Sequence, residues 1–190
     1  SSWLQILRPG LAPRRGKRHP PRRSSPRAGA HRPHLEVLAD RRMLAFLAGS
    51  AHAGIAKGLV AWAESAGAEC LEVSEAVLAK LAAKDNPQTM LGVFEQRWVA
   101  EPHPASLPAD ATWLALEQVR DPGNLGTIIR TVDAVGAAGV ILVGNSVDPY
   151  ARESVRASMG SIFSVPLARI GRESALALAS DWKGDVVGTE

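Results

Sequence analysis

Cysteine occurs once, tyrosine once and phenylalanine three times in these 190 residues. The lone Cys70 excludes an internal disulfide and a cysteine-built metal cluster, and it suits a reducing cytoplasm. No apolar run approaches the roughly 20 residues a membrane-spanning helix needs. The opening residues hold neither a long apolar core nor a small-residue cleavage site, so no secretory leader is expected. The first 34 residues have no acid at all, yet they carry nine basic side chains: Arg8, Arg14, Arg15, Lys17, Arg18, Arg22, Arg23, Arg27 and Arg32. Only 13 of the 22 Lys and Arg are left for residues 35–190, against all 19 acids. The basic balance therefore belongs to the first stretch, and the net-acidic remainder does not by itself advertise phosphate binding.

That stretch also holds Pro9, Pro13, Pro20, Pro21, Pro26 and Pro33 and too little apolar surface to offset ordering entropy, so residues 1–34 are expected to be disordered. A basic RNA-binding arm, a solvated tail, a transit-like leader and an out-of-frame translation are all compatible with its composition. From Leu35 the pattern becomes globular. Leu35–Leu38 is either a strand or the start of a helix through Leu47, and Ile55–Ala66 has helical spacing. Cys70–Val73 reads as a strand, Glu75–Ala83 as a helix capped by Ser74, and Met90–Phe94 as another strand. Residues 35–100 thus form a small α/β module. Residues 101–110, with Pro102, Pro104 and Pro108, continue no sheet and serve as the linker.

Residues 111–190 contain the most specific stretch. Trp113–Leu116 is a short apolar run, read as a buried strand, and Pro122-Gly123 breaks it. Leu125, Ile128, Ile129, Val132 and Val135 recur at helical spacing, with Asn124 at the expected N-cap and Gly136 as the stop. Val140–Val143 is a second buried strand. Strand, Gly loop, helix and strand make a βαβ unit, which implies a parallel sheet and puts the loop at the carboxyl edge where α/β folds bind ligands. Ala151–Met159 is expected as a helix, Ser161–Leu167 as a strand, Arg172–Trp182 as a helix and Asp185–Gly188 as a strand.

The run Asp121–Gly136, DPGNLGTIIRTVDAVG, resembles the first motif of the SpoU-type (TrmH-like) RNA ribose 2′-O-methyltransferases of the SPOUT superfamily. The run Ser154–Phe163 followed by Val165-Pro166 is similar to that family's next segment. Asn124, Gly126, Arg130, Asp133 and Gly136 at fixed spacing, with Ser158-Met159-Gly160 downstream, carry the likeness from about Ala111 onward; it is fainter over 73–99. The resemblance implies an α/β chain: a small substrate-binding domain like ribosomal protein L30e, here partial, with the Asn86-Pro87-Gln88 turn in its last part. The opening part of a Rossmann-like, normally knotted catalytic domain follows. It implies methyl transfer from S-adenosylmethionine to a ribose 2′-hydroxyl of rRNA or tRNA, by a cytoplasmic homodimer without metal. Arg130 and Asn124 would be catalytic, and Gly123, Gly126 and Ser158 would meet RNA or phosphate. Relatives continue past the position of Glu190 with two motifs that build the S-adenosylmethionine pocket. The chain is therefore expected to be an incomplete, inactive fragment without cofactor-binding residues of its own.

The chemistry agrees with an RNA substrate, because the 2′-hydroxyl is what separates RNA from DNA. Residues 111–190 contain no histidine, so the usual general base is missing there. Guanidinium hardly ever loses a proton, so Arg130 is assigned a charge role first: holding phosphate or stabilising a developing alkoxide. The plain alternative is an Arg130–Asp133 surface pair worth little. Asn124 as a cap alone, glycines that only allow tight backbone geometry, and a packing role for Ser158 and Gly160 are the corresponding readings elsewhere. Two other classes stand beside the enzyme. One is a non-catalytic RNA-binding module. The other is a Rossmann nucleotide enzyme, disfavoured because G-x-G-x-x-G spacing is absent.

Overall fold

The computed structural model describes residues 4–9, 43–48, 54–83, 88–108 and 110–189. They divide into two compact units, Leu35–Gln96 and Ser1–His34 with Arg97–Glu190.

The smaller unit runs β2 (Met43–Ala48), α1 (Gly54–Ser65), β3 (Glu69–Val73), α2 (Glu75–Ala82) and β4 (Met90–Phe94), after β1 (Leu4–Pro9) of the larger unit. Its sheet has the order β3-β2-β4, with β3 parallel and β4 antiparallel to β2. Of the two readings left open from Leu35, the helix through Leu47 is not formed, and Met43–Ala48 is this central strand. Met43 to Ala48 is apolar throughout, and such a run has no period to distinguish strand from buried helix. Ala45, Leu47 and Val60 form the core on the α1 side. Ser74 caps α2 as its sequence position suggests, its Oγ accepting from the Val77 N–H at 3.3 Å. Leu35–Leu38, Asn86 and Pro87 lie outside the described residues.

The larger unit contains β5 (Trp113–Glu117), α3 (Pro122–Val135), β6 (Gly139–Val143), α4 (Arg152–Ala157), β7 (Leu167–Ile170), α5 (Arg172–Asp181) and β8 (Gly184–Thr189). Strands β5, β6 and β7 are parallel neighbours, in register through Leu116, Leu142 and Arg169. All five residues of β6 are buried, as a parallel strand covered on both faces requires. One face carries Leu116, Leu125, Ile129, Val132, Leu142 and Leu167, so α3 packs there. The other carries Trp113, Ile141, Ala168, Leu178 and Trp182, the side of α5. Leu125 and Ile129 are fully buried, each worth about 1.5–3 kcal/mol of burial.

Two features depart from the sequence reading. The third strand does not span Ser161–Leu167: Ser161–Phe163 is a 3-10 turn, and the strand begins at Leu167. Pro166 has no N–H to give a ladder, and the Ser161 carbonyl already accepts from the Ser164 and Val165 N–H groups, closing the turn. In the stretch expected to be disordered, Leu4–Pro9 is a strand; the rest of residues 1–34 lies outside the described residues. The sheet order is β7-β6-β5-β1-β8, with β1 antiparallel to both neighbours. It follows that β8 points the same way as β5, β6 and β7.

Candidate functional site

The loop into α3 is built by its first residues. Asp121, in extended conformation, is the N-cap, and its Oδ1 accepts from the Asn124 N–H at 2.6 Å. Pro122 occupies the first helical position, where its missing N–H costs nothing and its fixed φ suits the helix. Asn124 is therefore not the cap, contrary to the sequence reading. It sits one turn inside, exposed, and its side-chain amide makes no hydrogen bond among the described residues. An Asp-Pro pair outcompetes Asn here because a carboxylate both caps and complements the helix dipole. Gly123 follows Pro122, half-buried; a β-carbon there would stand 3.2 Å from the Asp121 Oδ1.

Gly126 has a different job from the phosphate contact expected of it. It is buried, and a β-carbon on it would stand 2.7 Å from the Ala157 β-carbon and 2.9 Å from the Ser158 nitrogen, and closer still to the Ser154 carbonyl oxygen. Glycine is what lets α3 and α4 touch. Ser154 strengthens the same junction: fully buried, its Oγ donates to the Pro122 carbonyl at 2.8 Å. Ser158 is also fully buried, with its Oγ donating to the Val155 carbonyl at 2.8 Å, so it offers no surface to a phosphate. The two sequence motifs thus meet in space as a packing joint. Past it, Met159 is 72% exposed at φ 51.

On the solvent side of α3 stand Asn124, Thr127, Arg130 and Thr131. Both threonine hydroxyls donate back to helix carbonyls, Thr127 to Gly123 and Thr131 to Thr127, each at 3.0 Å. That leaves the Asn124 amide and the Arg130 guanidinium available. Six residues separate them, about 9 Å along the axis and about 120° around it. Among the described residues Arg130 makes no ion pair, with Asp133 or any other acid. The plain surface-pair reading of Arg130 and Asp133 loses its support.

The carboxyl edge holds residues that the sequence did not single out. Gln118, directly after β5, has φ 58, uncommon for a non-glycine residue. Glu117 at the end of β5 pairs with Arg172 at the start of α5, Oε1 to Nε at 3.4 Å. The buried Ser146 Oγ is within 3.4 Å of the Leu116 carbonyl and 3.3 Å of the Val143 carbonyl, tying the loop after β6 to the ends of two strands. No local pattern marks these contacts; 55 positions separate Glu117 from Arg172, and only the parallel topology joins them. One cavity of about 520 Å³ lies elsewhere, lined by Glu101, His103, Ala177, Leu178, Asp181 and Lys183, beside the end of α5 and so at the amino edge of the sheet. Among the described residues no group of three or more His, Cys, Asp or Glu is placed to hold a metal ion, and no helix is long and apolar enough to cross a membrane.

The larger unit has the mixed α/β, parallel-sheet fold of solved rRNA methyltransferases. The AdoMet-bound rRNA methyltransferase of Sinorhizobium meliloti superposes with a TM-score of 0.65 and 38% identity, over 77% of this chain and 54% of that one. The sequence narrows the class: residues 111–189 match the model of the SpoU rRNA Methylase family. An uncharacterized tRNA/rRNA methyltransferase of Synechocystis is 41% identical over 96 residues, 50% of this chain and 33% of that protein. The 23S rRNA (guanosine(2553)-2′-O)-methyltransferase of Bacillus subtilis is 31% identical over 103 residues, 54% of this chain and 39% of that protein. The chain thus spans between a third and about half the length of these relatives.

Proposed function

We propose that this chain is part of an RNA ribose 2′-O-methyltransferase that moves a methyl group from S-adenosylmethionine to a 2′-hydroxyl of rRNA or tRNA. The observation that carries the reading is the division of labour within the matched motif. Gly126, Ser154 and Ser158 are consumed by packing, while Arg130 and Asn124 are left in water with no partner. A cation standing on a helix with no ion pair among the described residues is ready for an external anion. Arg130 holds an RNA phosphate or the developing alkoxide of the attacking 2′-oxygen, where a permanent charge in fixed geometry does most. The Asn124 amide, able both to donate and to accept, orients the ribose. Asp121, Pro122 and Gly123 shape the loop that presents them.

The methyl donor supplies a sulfonium carbon to the attacking oxygen. The described residues do not fit it. The cavity beside α5 is at the wrong edge of the sheet, and its lining includes Glu101, Asp181, Lys183 and a single aromatic ring, that of His103. Homodimer formation, a cytoplasmic location and an L30e-like role for residues 35–100 belong to the same reading. The last of these gets no help from charge, since the described part of the smaller unit has Lys57 and Lys80 against Glu64, Glu69, Glu72, Glu75 and Glu95.

The test is a chain extended with the two family motifs expected after Glu190, assayed for transfer of labelled methyl to rRNA and tRNA. Arg130→Ala is expected to abolish most of the turnover while leaving the melting temperature unchanged. Full turnover in that variant overturns the assignment. A Rossmann nucleotide enzyme would instead bind NAD, and a plain RNA-binding module would keep its RNA affinity without Arg130.

A further inference from the structure

The segment that leads into the larger unit is not a loose tether. The Val99 N–H donates to the Leu167 carbonyl at 2.9 Å, laying residues 97–99 along β7, the outer strand of the sheet on that side. Tyr150, before α4, clasps Arg97 through its backbone: the hydroxyl accepts from the Arg97 N–H at 3.1 Å and donates to the Arg97 carbonyl. The Tyr150 ring meets the Trp98 ring edge-on, centroids 5.4 Å apart at 81°. The Arg169 guanidinium, on β7, lies over the Trp98 ring at 5.1 Å. Burial is incomplete: Trp98 remains 37% exposed and Arg169 is exposed. Arg169 makes no ion pair among the described residues.

We propose that Trp98 and Arg169 form a stacking site for a base of single-stranded RNA, a second contact beyond the loop before α3. The inference rests on the RNA-modifying reading above and extends it to a flanking nucleotide. The indole and the guanidinium are two planar groups set 5.1 Å apart, and the charge has only solvent or a ligand to answer it. Bases stack on such planes regardless of identity, and the same cation reaches the adjoining phosphate. The Tyr150 clasp orders the backbone beneath Trp98 in advance, so little entropy is lost on binding. The location agrees with one continuous track. Arg169 is two residues along the strand from Leu167, so both point to the same face, and Leu167 packs in the core under α3, the helix that carries Arg130.

The experiment uses the 190-residue chain and a fluorescein-labelled, mixed-sequence single-stranded RNA 12-mer, read by anisotropy at several salt concentrations. Trp98→Leu is expected to weaken binding by about tenfold. Arg169→Gln should weaken it several-fold and flatten the salt dependence by about one counterion. Arg169→Gln leaves the Tyr150 clasp intact, so its melting temperature should match the parent's. Parent-like affinity in both variants overturns the site, as does a lowered melting temperature for Trp98→Leu with RNA affinity retained, which would make the cluster a clamp only. Absence of RNA binding by the parent chain also overturns it. None of these results touches the Arg130 assignment, which is decided by methyl transfer in the extended chain.

Discussion

Arg130, like Asn124, has a side chain with nothing to hold among the described residues. A buried arginine would be fixed by a carboxylate, and a paired surface arginine contributes little to anything; this one faces solvent with its nearest helical acid unengaged. Substitution to lysine keeps the charge but loses the planar fork, so in the extended chain Arg130→Lys should retain RNA affinity and still lose turnover. If removing this donor resembles removal of other transition-state donors, the fall is about 10²–10³-fold, measured as single-turnover methyl transfer. Asp121 is a separate case, acting on the loop alone. Asp121→Ala removes the cap on Asn124 and should cost about 1 kcal/mol, read from urea denaturation. A cost near zero would mean that Pro122 alone starts the helix. Cys70 provides a control in the other unit. Burial pushes its thiol up, and the nearby Glu64 charge adds to the effect. Less thiolate is present at pH 8 than for a free thiol, so alkylation there should be slower than in the urea-unfolded chain.

At the scale of elements, the joint between α3 and α4 decides whether the site exists at all. A β-carbon at position 126 meets a backbone carbonyl oxygen, which cannot swing aside as a flexible side chain does. Gly126→Ala should therefore force the helices apart and cost about 1–3 kcal/mol or more, seen as a melting temperature lower by several degrees. An unchanged melting temperature would refute the packing role given to this glycine. This joint also shows what the sequence made legible. The spacing of Leu125, Ile129 and Val132 announced α3, and the unbroken apolar run of β6 announced a buried strand. The cap was misassigned to Asn124 because Asp and Asn both favour that position, and only the observed bond to Asp121 separates them. Gly126 and Ser158 were visible as motif residues but not as contacts of each other, since 32 positions lie between them. The turn at Ser161–Phe163 was hidden for another reason: Ile162 is buried as deeply as the strand residues Leu116 and Leu167, so hydrophobicity alone could not separate turn from strand.

Across the whole molecule, the parallel pairing of β5 and β6 followed from the strand, loop, helix and strand pattern, whereas strand Leu4–Pro9 did not. Six residues between prolines and arginines carry too weak a signal, and their pairing is set by partners more than a hundred positions away. Among the described residues, β8 is then the outer strand of the sheet, with Val186 41% and Val187 47% exposed. Open edges with apolar side chains invite pairing between molecules. Val187→Lys should reduce concentration-dependent association in sedimentation velocity; identical sedimentation of parent and variant would remove the edge as its cause.

The antiparallel ladder between β1 and β8 begins with Leu4 facing Thr189 and closes with Pro9 facing Gly184. Tension applied between Leu4 and Thr189 would act across this ladder and part its rungs one after another, like a zipper drawn from its open end. The unit should then yield to a small pulling force along that direction even if it withstands heat well.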